Sequence, residues 1–242
     1  MALIPSKKTC MDLEIHEQPA ILGKIIEEYI SEEGKVLIDL PDDIKNIVLV
    51  ASGSSYHCAR FGADLFGQVA DISARAIYSS EYLLKPKAPD SKDLLYIFIT
   101  QSGETSDTLR AAKRAKQLGM RIACITNNAK SSMNALADYS MNCFAGIEKS
   151  IAATKSFTAQ MLCVYILALK YAQMRDIDVI ERINSLRTLP EVILQTFDMQ
   201  KKIQQFAGML KKEKNFIITA DGISYALAKE AALKIKETSY LN

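Results

Sequence analysis

Short apolar runs alternate with stretches of helical periodicity along most of this chain, and few folds accommodate that alternation. Residues 47–51 read Ile-Val-Leu-Val-Ala, and residues 94–99 read Leu-Leu-Tyr-Ile-Phe-Ile. Continuous β-branched and apolar runs of this length suit strands covered on both faces. Runs at 73–78, 121–126 and 139–144 complete the set. Between them, helical patterns span 56–69 and 105–118, the second stopped by Gly119, and a short helix fits 132–137. Strand starts about twenty residues apart with helices between them mean right-handed crossovers. The expected fold class is therefore α/β, an open parallel sheet of about five strands with helices on both faces.

The flanks read differently. Pro19, followed by Leu22, Ile25, Ile26, Tyr29 and Ile30, predicts a helix with proline in its first turn and a stop at Gly34. Residues 153–210 are helical in pattern, with a boundary near Pro190. Residues 215–219 (Asn-Phe-Ile-Ile-Thr) predict a sixth strand, and a helix is expected from about Ser224 onward. One strand and one helix cannot bury a sheet on both faces, so this last unit is expected to be the truncated start of a second α/β unit. The expected organisation is a helical lead-in over 1–34, a first domain over 35–175, connecting helices over 176–212, and the incomplete unit over 213–242.

Composition removes several function classes. With 49% hydrophobic and 24% charged residues in 242, the chain is of ordinary globular make-up, which excludes a disordered or fibrous protein. A net charge of +2 without a basic stripe argues against nucleic acid as a partner. The basic knot Lys211, Lys212, Glu213 and Lys214 reads as a solvated helix end. The longest apolar stretch, 161–169, stops at Lys170, short of the ~18 residues a membrane span requires. The N-terminus lacks a hydrophobic signal core, so a cytoplasmic location is expected. Cys10, Cys58, Cys124, Cys143 and Cys163 show no metal-type spacing and are expected to be free thiols packed as small hydrophobes. With His16 and His57 the sole histidines, no metal site is expected.

In open parallel sheets, ligands bind beyond the carboxyl ends of strands, near the reversal in strand order. The first strong strand is followed by Ser52-Gly53-Ser54-Ser55, the second by Thr100-Gln101-Ser102-Gly103-Glu104-Thr105. Helix-start amides and the positive end of the helix dipole attract an anion, and hydroxyls add neutral donors. Either turn alone is an ordinary helix cap. Two such turns on one sheet edge suit a phosphate-type ligand. Neither GxxxxGK[ST] nor GxGxxG is present, which disfavours a nucleotide cofactor.

Five motifs carry a family resemblance. Ile-His-Glu-Gln-Pro (15–19), Ser-Gly-Ser-Ser-Tyr-His (52–57), Thr-Gln-Ser-Gly-Glu-Thr-Ser-Asp-Thr-Leu (100–109), Ile-Ala-Ala-Thr-Lys-Ser-Phe-Thr (151–158) and Ala-Leu-Lys-Ile-Lys-Glu-Thr-Ser-Tyr (232–240) occur in the order of the sugar isomerase (SIS) family. From about residue 11 to the end, the chain most resembles the isomerase half of the glutamine–fructose-6-phosphate aminotransferases.

The resemblance implies roles position by position. Ser55, Thr100, Gln101, Ser102 and Thr105 would hold a sugar phosphate, and the segment containing Ile151 and Ala153 would line the sugar site. Glu237 would shuttle a proton between sugar carbons 1 and 2, with Lys234 beside it. Residues i and i+3 on a helix do share a face. Without the resemblance, Lys234-Ile235-Lys236-Glu237 would read as a solvated helix face. His57 is expected to be a helix-start residue facing a neighbour rather than a catalytic group. The implied ligands are fructose 6-phosphate and glucosamine 6-phosphate, with no metal or organic cofactor, and a homodimer is expected.

The departures are specific. Thr100 stands where the family usually has Ser, and Ala153 replaces a common Ser. The glutaminase domain, the ring-opening His and the C-terminal Schiff-base Lys of those aminotransferases have no counterpart in the chain, so it is expected to bind sugar phosphate without completing the isomerisation. Alternatives are another phosphosugar isomerase or deglycase of the family, or a non-catalytic sugar-phosphate sensor.

Overall fold

The computed structural model describes residues 9–84, 93–210 and 212–240. The N-terminal residues 1–8, searched above for a signal core, and Lys211 of the basic knot lie outside the described residues. Five strands form one parallel sheet: β1 (Asn46–Ala51), β2 (Ser73–Tyr78), β3 (Leu94–Thr100), β4 (Arg121–Thr126) and β5 (Tyr139–Asn142). The spatial order is β2-β1-β3-β4-β5. The chain thus builds outward from β1 to β2, then returns past β1 to continue on its other side. The reversal lies between β1 and β3, and it is there that a crevice opens at the carboxyl edge.

Period-two alternation sends side chains to two separate cores. Ile47, Leu49 and Ala51 of β1 and Leu95, Ile97 and Ile99 of β3 are fully or almost fully buried on one face. They pack in one core with side chains of α1 (Cys10–Tyr29), α2 (Ser54–Ala70) and α6 (Lys155–Gln173). On the other face, Val48, Val50, Tyr96, Phe98, Ile122 and Cys124 meet Tyr82 of α3 (Ser79–Leu84), Ala111, Ala112 and Ala115 of α4 (Ser106–Gln117) and Met133 of α5 (Ser132–Leu136). The alanine stripe of α4 lets that helix approach the aromatic side chains of β3 closely. After α6 come α7 (Ile180–Arg187), α8 (Leu189–Thr196), a single 3-10 turn, α9 (Gln200–Leu210) and α10 (Ser224–Ser239). Pro190 occupies the first turn of α8, at the expected boundary.

Three expectations are corrected. Helix α1 begins at Cys10, not at Pro19, and Pro19 lies inside it. The Thr9 hydroxyl caps the start by accepting from the Asp12 amide at 3.1 Å. Proline cannot donate to the carbonyl four residues back, and here the Gln18 side-chain amide donates to that Ile15 carbonyl at 2.9 Å instead. Residues 215–219 form no strand. Among the described residues they have no neighbouring strand to complete a ladder, and Ile217 is 91% exposed. Strand β5 is also two residues shorter than expected.

Cys58, Cys124, Cys143 and Cys163 are buried free thiols, as the sequence suggested, while Cys10 is exposed. Burial pushes the Cys124 thiol up to about 12. No helix among the described residues is long and apolar enough to cross a membrane.

Candidate functional site

The two hydroxyl-rich turns emerge side by side. Ala51 is in register with Ile99, and Thr100 with Thr126, so residues 52–55 and 100–105 leave adjacent strands at the same carboxyl edge. In the first turn Gly53 adopts φ 58° and ψ −138°, a conformation essentially reserved for glycine, and directs the chain into α2. No side chain caps this helix, and its first turn holds no acidic residue. The Tyr56 amide donates to the Gly53 carbonyl at 2.9 Å, and the Ser54 and Ser55 amides ahead of it open the helix at the crevice edge.

The second turn is braced from within. Thr100 is buried at 2% exposure, its hydroxyl 3.0 Å from the Thr105 hydroxyl and accepting from the Gly103 amide at 3.3 Å. The Gln101 carbonyl accepts from the Asn127 amide at 3.0 Å, which ties the turn to the end of β4. Ser102 and Thr105 are exposed on the same loop. Gly103 has φ +72°, and a Cβ there would lie 2.1 Å from the Ser131 hydroxyl oxygen, so glycine is required twice over.

A third wall comes from residues 148–156. The Glu148 carboxylate accepts from the Thr154 amide at 2.9 Å, the Ser156 amide at 3.3 Å, and the Ser156 hydroxyl. It occupies the positive end of α6, so this helix start is already neutralised. Glu14 of α1 accepts from the amides of Lys149 at 2.5 Å and Ser150 at 3.2 Å. Burial works against its charge, but the Ser150 side chain and these amides hold the carboxyl below its usual range. Lys155, 3% exposed, reaches Glu17 at 2.5 Å. The motif at 15–19 and the motif at 151–158 are thereby joined.

The fourth element is α10, docked on the start of α2. Glu230 is buried, its Oε2 2.6 Å from Nδ1 of the equally buried His57. Its Oε1 lies 3.4 Å from the Lys234 ammonium, which also donates to the Ser54 hydroxyl at 3.1 Å and meets Glu237 at 2.5 Å. Burial opposes ionisation of Glu230, but the hydrogen bond from His57, the nearby Ser54 hydroxyl and the charge of Lys234 outweigh it and keep the carboxyl below its ordinary value.

The two turns and the third wall border a cavity of about 250 Å³, lined by Ser54, Ser55, Gln101, Glu148, Ser150, Ile151, Ala153, Ser156, Phe157 and Gln160, which α10 reaches through the Lys234–Ser54 hydrogen bond. Of the residues singled out in the sequence, Ser55, Gln101, Ile151 and Ala153 line it directly. Thr100 lies beneath the loop, Ser102 and Thr105 sit on its exposed side, and Lys234 and Glu237 connect through Ser54. The sequence reading gave no role to Ser54, Glu148, Ser150, Ser156, Phe157 or Gln160, although Ser54 falls within the first hydroxyl turn and Ser156 and Phe157 within the motif at 151–158. It also missed Glu230, whose signal is its i, i+4 spacing to Lys234. A larger groove of about 730 Å³ lies between α1 and the α7–α8 corner. Its Glu27, Glu32 and Glu191 outnumber Arg187, and none of its lining residues belongs to a strand or to either hydroxyl turn, so it suits an anion poorly. Among the described residues, no cluster of three His, Cys, Asp or Glu could hold a metal ion.

The chain is 36% identical over 239 residues to glutamine–fructose-6-phosphate aminotransferase [isomerizing] of Gloeobacter violaceus, covering 95% of this chain and 39% of the relative. It is 35% identical over 236 residues to the same-named protein of Campylobacter jejuni, covering 96% and 39%. It spans about two fifths of the length of these relatives. Among solved structures, the C-terminal domain of glucosamine-fructose-6-phosphate aminotransferase from Francisella tularensis superposes with a TM-score of 0.93 at 25% identity, covering 98% of this chain and 70% of that one. Glucosamine-6-phosphate deaminase from Thermotoga maritima gives a TM-score of 0.76 at 25% identity, covering 96% and 68%. The SIS domain model matches residues 42–170, more than half of the chain, from just before β1 to the last turns of α6. This chain belongs to the SIS domain family.

Proposed function

We propose that this chain is the sugar-phosphate-binding isomerase portion of a glutamine–fructose-6-phosphate aminotransferase, taking fructose 6-phosphate and glucosamine 6-phosphate. The observation that carries the reading is the cavity at the β1–β3 reversal, bounded by both hydroxyl turns and lying one hydrogen bond from the Lys234–Glu237 pair. The phosphate rests on Ser55, Gln101, Ser102 and Thr105, with Thr100 shaping the loop from below. Neutral hydroxyls and helix-start amides can hold a phosphate dianion without a buried cation. The sugar extends past Ile151 and Ala153 toward α10. There, in the full-length aminotransferase, the Glu237 carboxylate removes a proton from carbon 1 of the open-chain ketose or its imine and returns it to carbon 2. The Lys234 ammonium, paired with Glu237 at 2.5 Å, fixes the position of that carboxylate.

A thermal-shift titration tests the reading. Fructose 6-phosphate and glucosamine 6-phosphate are expected to raise the melting temperature in a saturable way, and fructose, which lacks the phosphate, is not. A folded protein unmoved by either phosphate would overturn it. Exposed apolar side chains on α8 and α9, among them Leu194, Ile203, Phe206 and Met209, support self-association as the expected homodimer. Sedimentation velocity at micromolar protein reads that directly, and a monomer at all concentrations would contradict it.

A further inference from the structure

The contact between His57 and Glu230 is not explained by phosphate or sugar binding. Both side chains are buried, at 8% and 5% exposure, and they come from elements 173 residues apart. Glu230 faces His57 with one oxygen and Lys234 with the other. Lys234 in turn faces Ser54 on the first turn and Glu237 one helical turn further on. A continuous polar chain therefore runs from the third residue after Ser54 in α2, across to α10, and back to Ser54. Side-chain ammonium groups are long-stemmed and lose much rotamer entropy when fixed, so a lysine held on three sides is held by its neighbours.

We propose that His57 and Glu230 are positioning residues: their buried contact docks α10 on the start of α2, and Glu230 holds the Lys234 ammonium between Ser54 and Glu237. The inference builds on the reading of Lys234 and Glu237 as site residues. Its physical content is separate, because it concerns where Lys234 is held with no sugar present. The hydrogen bond to His57 is of the strong, charge-assisted class, while the other oxygen of Glu230 meets Lys234 as an ion pair at 3.4 Å, so without His57 the buried carboxylate would be left with that ion pair alone. The lowered titration of Glu230 fits a carboxylate ionised for this purpose.

Competitive acetylation of the lysines in the full chain, followed by mass spectrometry, tests it. Lys229 and Lys236 on the same helix serve as internal controls. In His57→Leu, labelling of Lys234 is expected to rise roughly tenfold while the two controls stay level. In His57→Asn the amide nitrogen falls near the place of Nδ1 and can still donate to Glu230, so labelling returns close to the unsubstituted rate. A merely structural role would raise all three lysines together and would not be rescued by Asn, and either result overturns the proposal. So does an unchanged Lys234 rate in His57→Leu. Should that variant not fold, Glu230→Gln keeps the volume and removes the charge, and the same selective rise at Lys234 is required of it. Protection of Lys234 by fructose 6-phosphate in the unsubstituted protein separately tests the site reading, and its absence would count against that reading alone.

Discussion

Gly103 sits at the tightest point of the site. Its φ of +72° and the 2.1 Å approach of the Ser131 hydroxyl leave no room for a methyl group. Gly53 differs: its φ is +58°, yet nothing lies within 4 Å of a Cβ built there. Backbone strain alone is expected to make Gly53→Ala cost about 1–2 kcal/mol, whereas strain plus overlap makes Gly103→Ala cost about 2–5 kcal/mol. Urea unfolding measures both, and equal costs would show that the Ser131 contact is not tight. A further residue-scale expectation concerns Ala153. Serine there would place a hydroxyl on the sugar wall and tighten fructose 6-phosphate by about two- to tenfold in a calorimetric titration. The hydroxyls of both turns could be read from the sequence because they follow strong strand signals. Thr100 could not be separated from Ser102 or Thr105 that way, since whether a hydroxyl braces the loop or faces solvent depends on the fold around it.

At the scale of elements, α1 shows what periodicity overlooks. Its apolar stripe becomes regular only after Pro19, so the pattern starts the helix there, while the Thr9 cap starts it at Cys10. The proline gap is closed by Gln18, and Gln18→Leu is expected to cost about 1 kcal/mol by leaving the Ile15 carbonyl without its donor. A loss below a few tenths of a kcal/mol in urea unfolding would mean that water serves the carbonyl equally well. Residues 215–219 show the opposite error. Their composition is that of a strand, but a strand exists through its neighbours, and no neighbour is present among the described residues. The inner strands β1, β3 and β4 were legible because both faces are covered, which makes each a nearly continuous apolar run, whereas the edge strands β2 and β5 are partly exposed and carry a weaker signal. The spatial order of the strands was not legible, since nothing local in β1 records that β3 rather than β2 completes its functional side.

For the molecule as a whole, the site is a meeting of distant segments held by carboxylates. Glu14 ties α1 to residues 149–150, and Glu230 ties α10 to α2. Both carboxyls are held below their ordinary value of 4.5, so each contributes stability that is present above that value and lost as pH falls below it. Urea midpoints followed from neutral pH to about pH 3 are expected to fall, and to fall less steeply in Glu14→Gln and Glu230→Gln. Unaltered slopes in both variants would show that these carboxylates do not couple folding to protons.

Amide NMR of the labelled chain, titrated with fructose 6-phosphate, most directly examines whether the two turns and the 148–156 wall form one receptor. Saturable shifts concentrated at residues 52–55, 100–105 and 150–156 are the predicted result. Shifts confined to the groove around Arg187 and Glu191, or none at all, would contradict it.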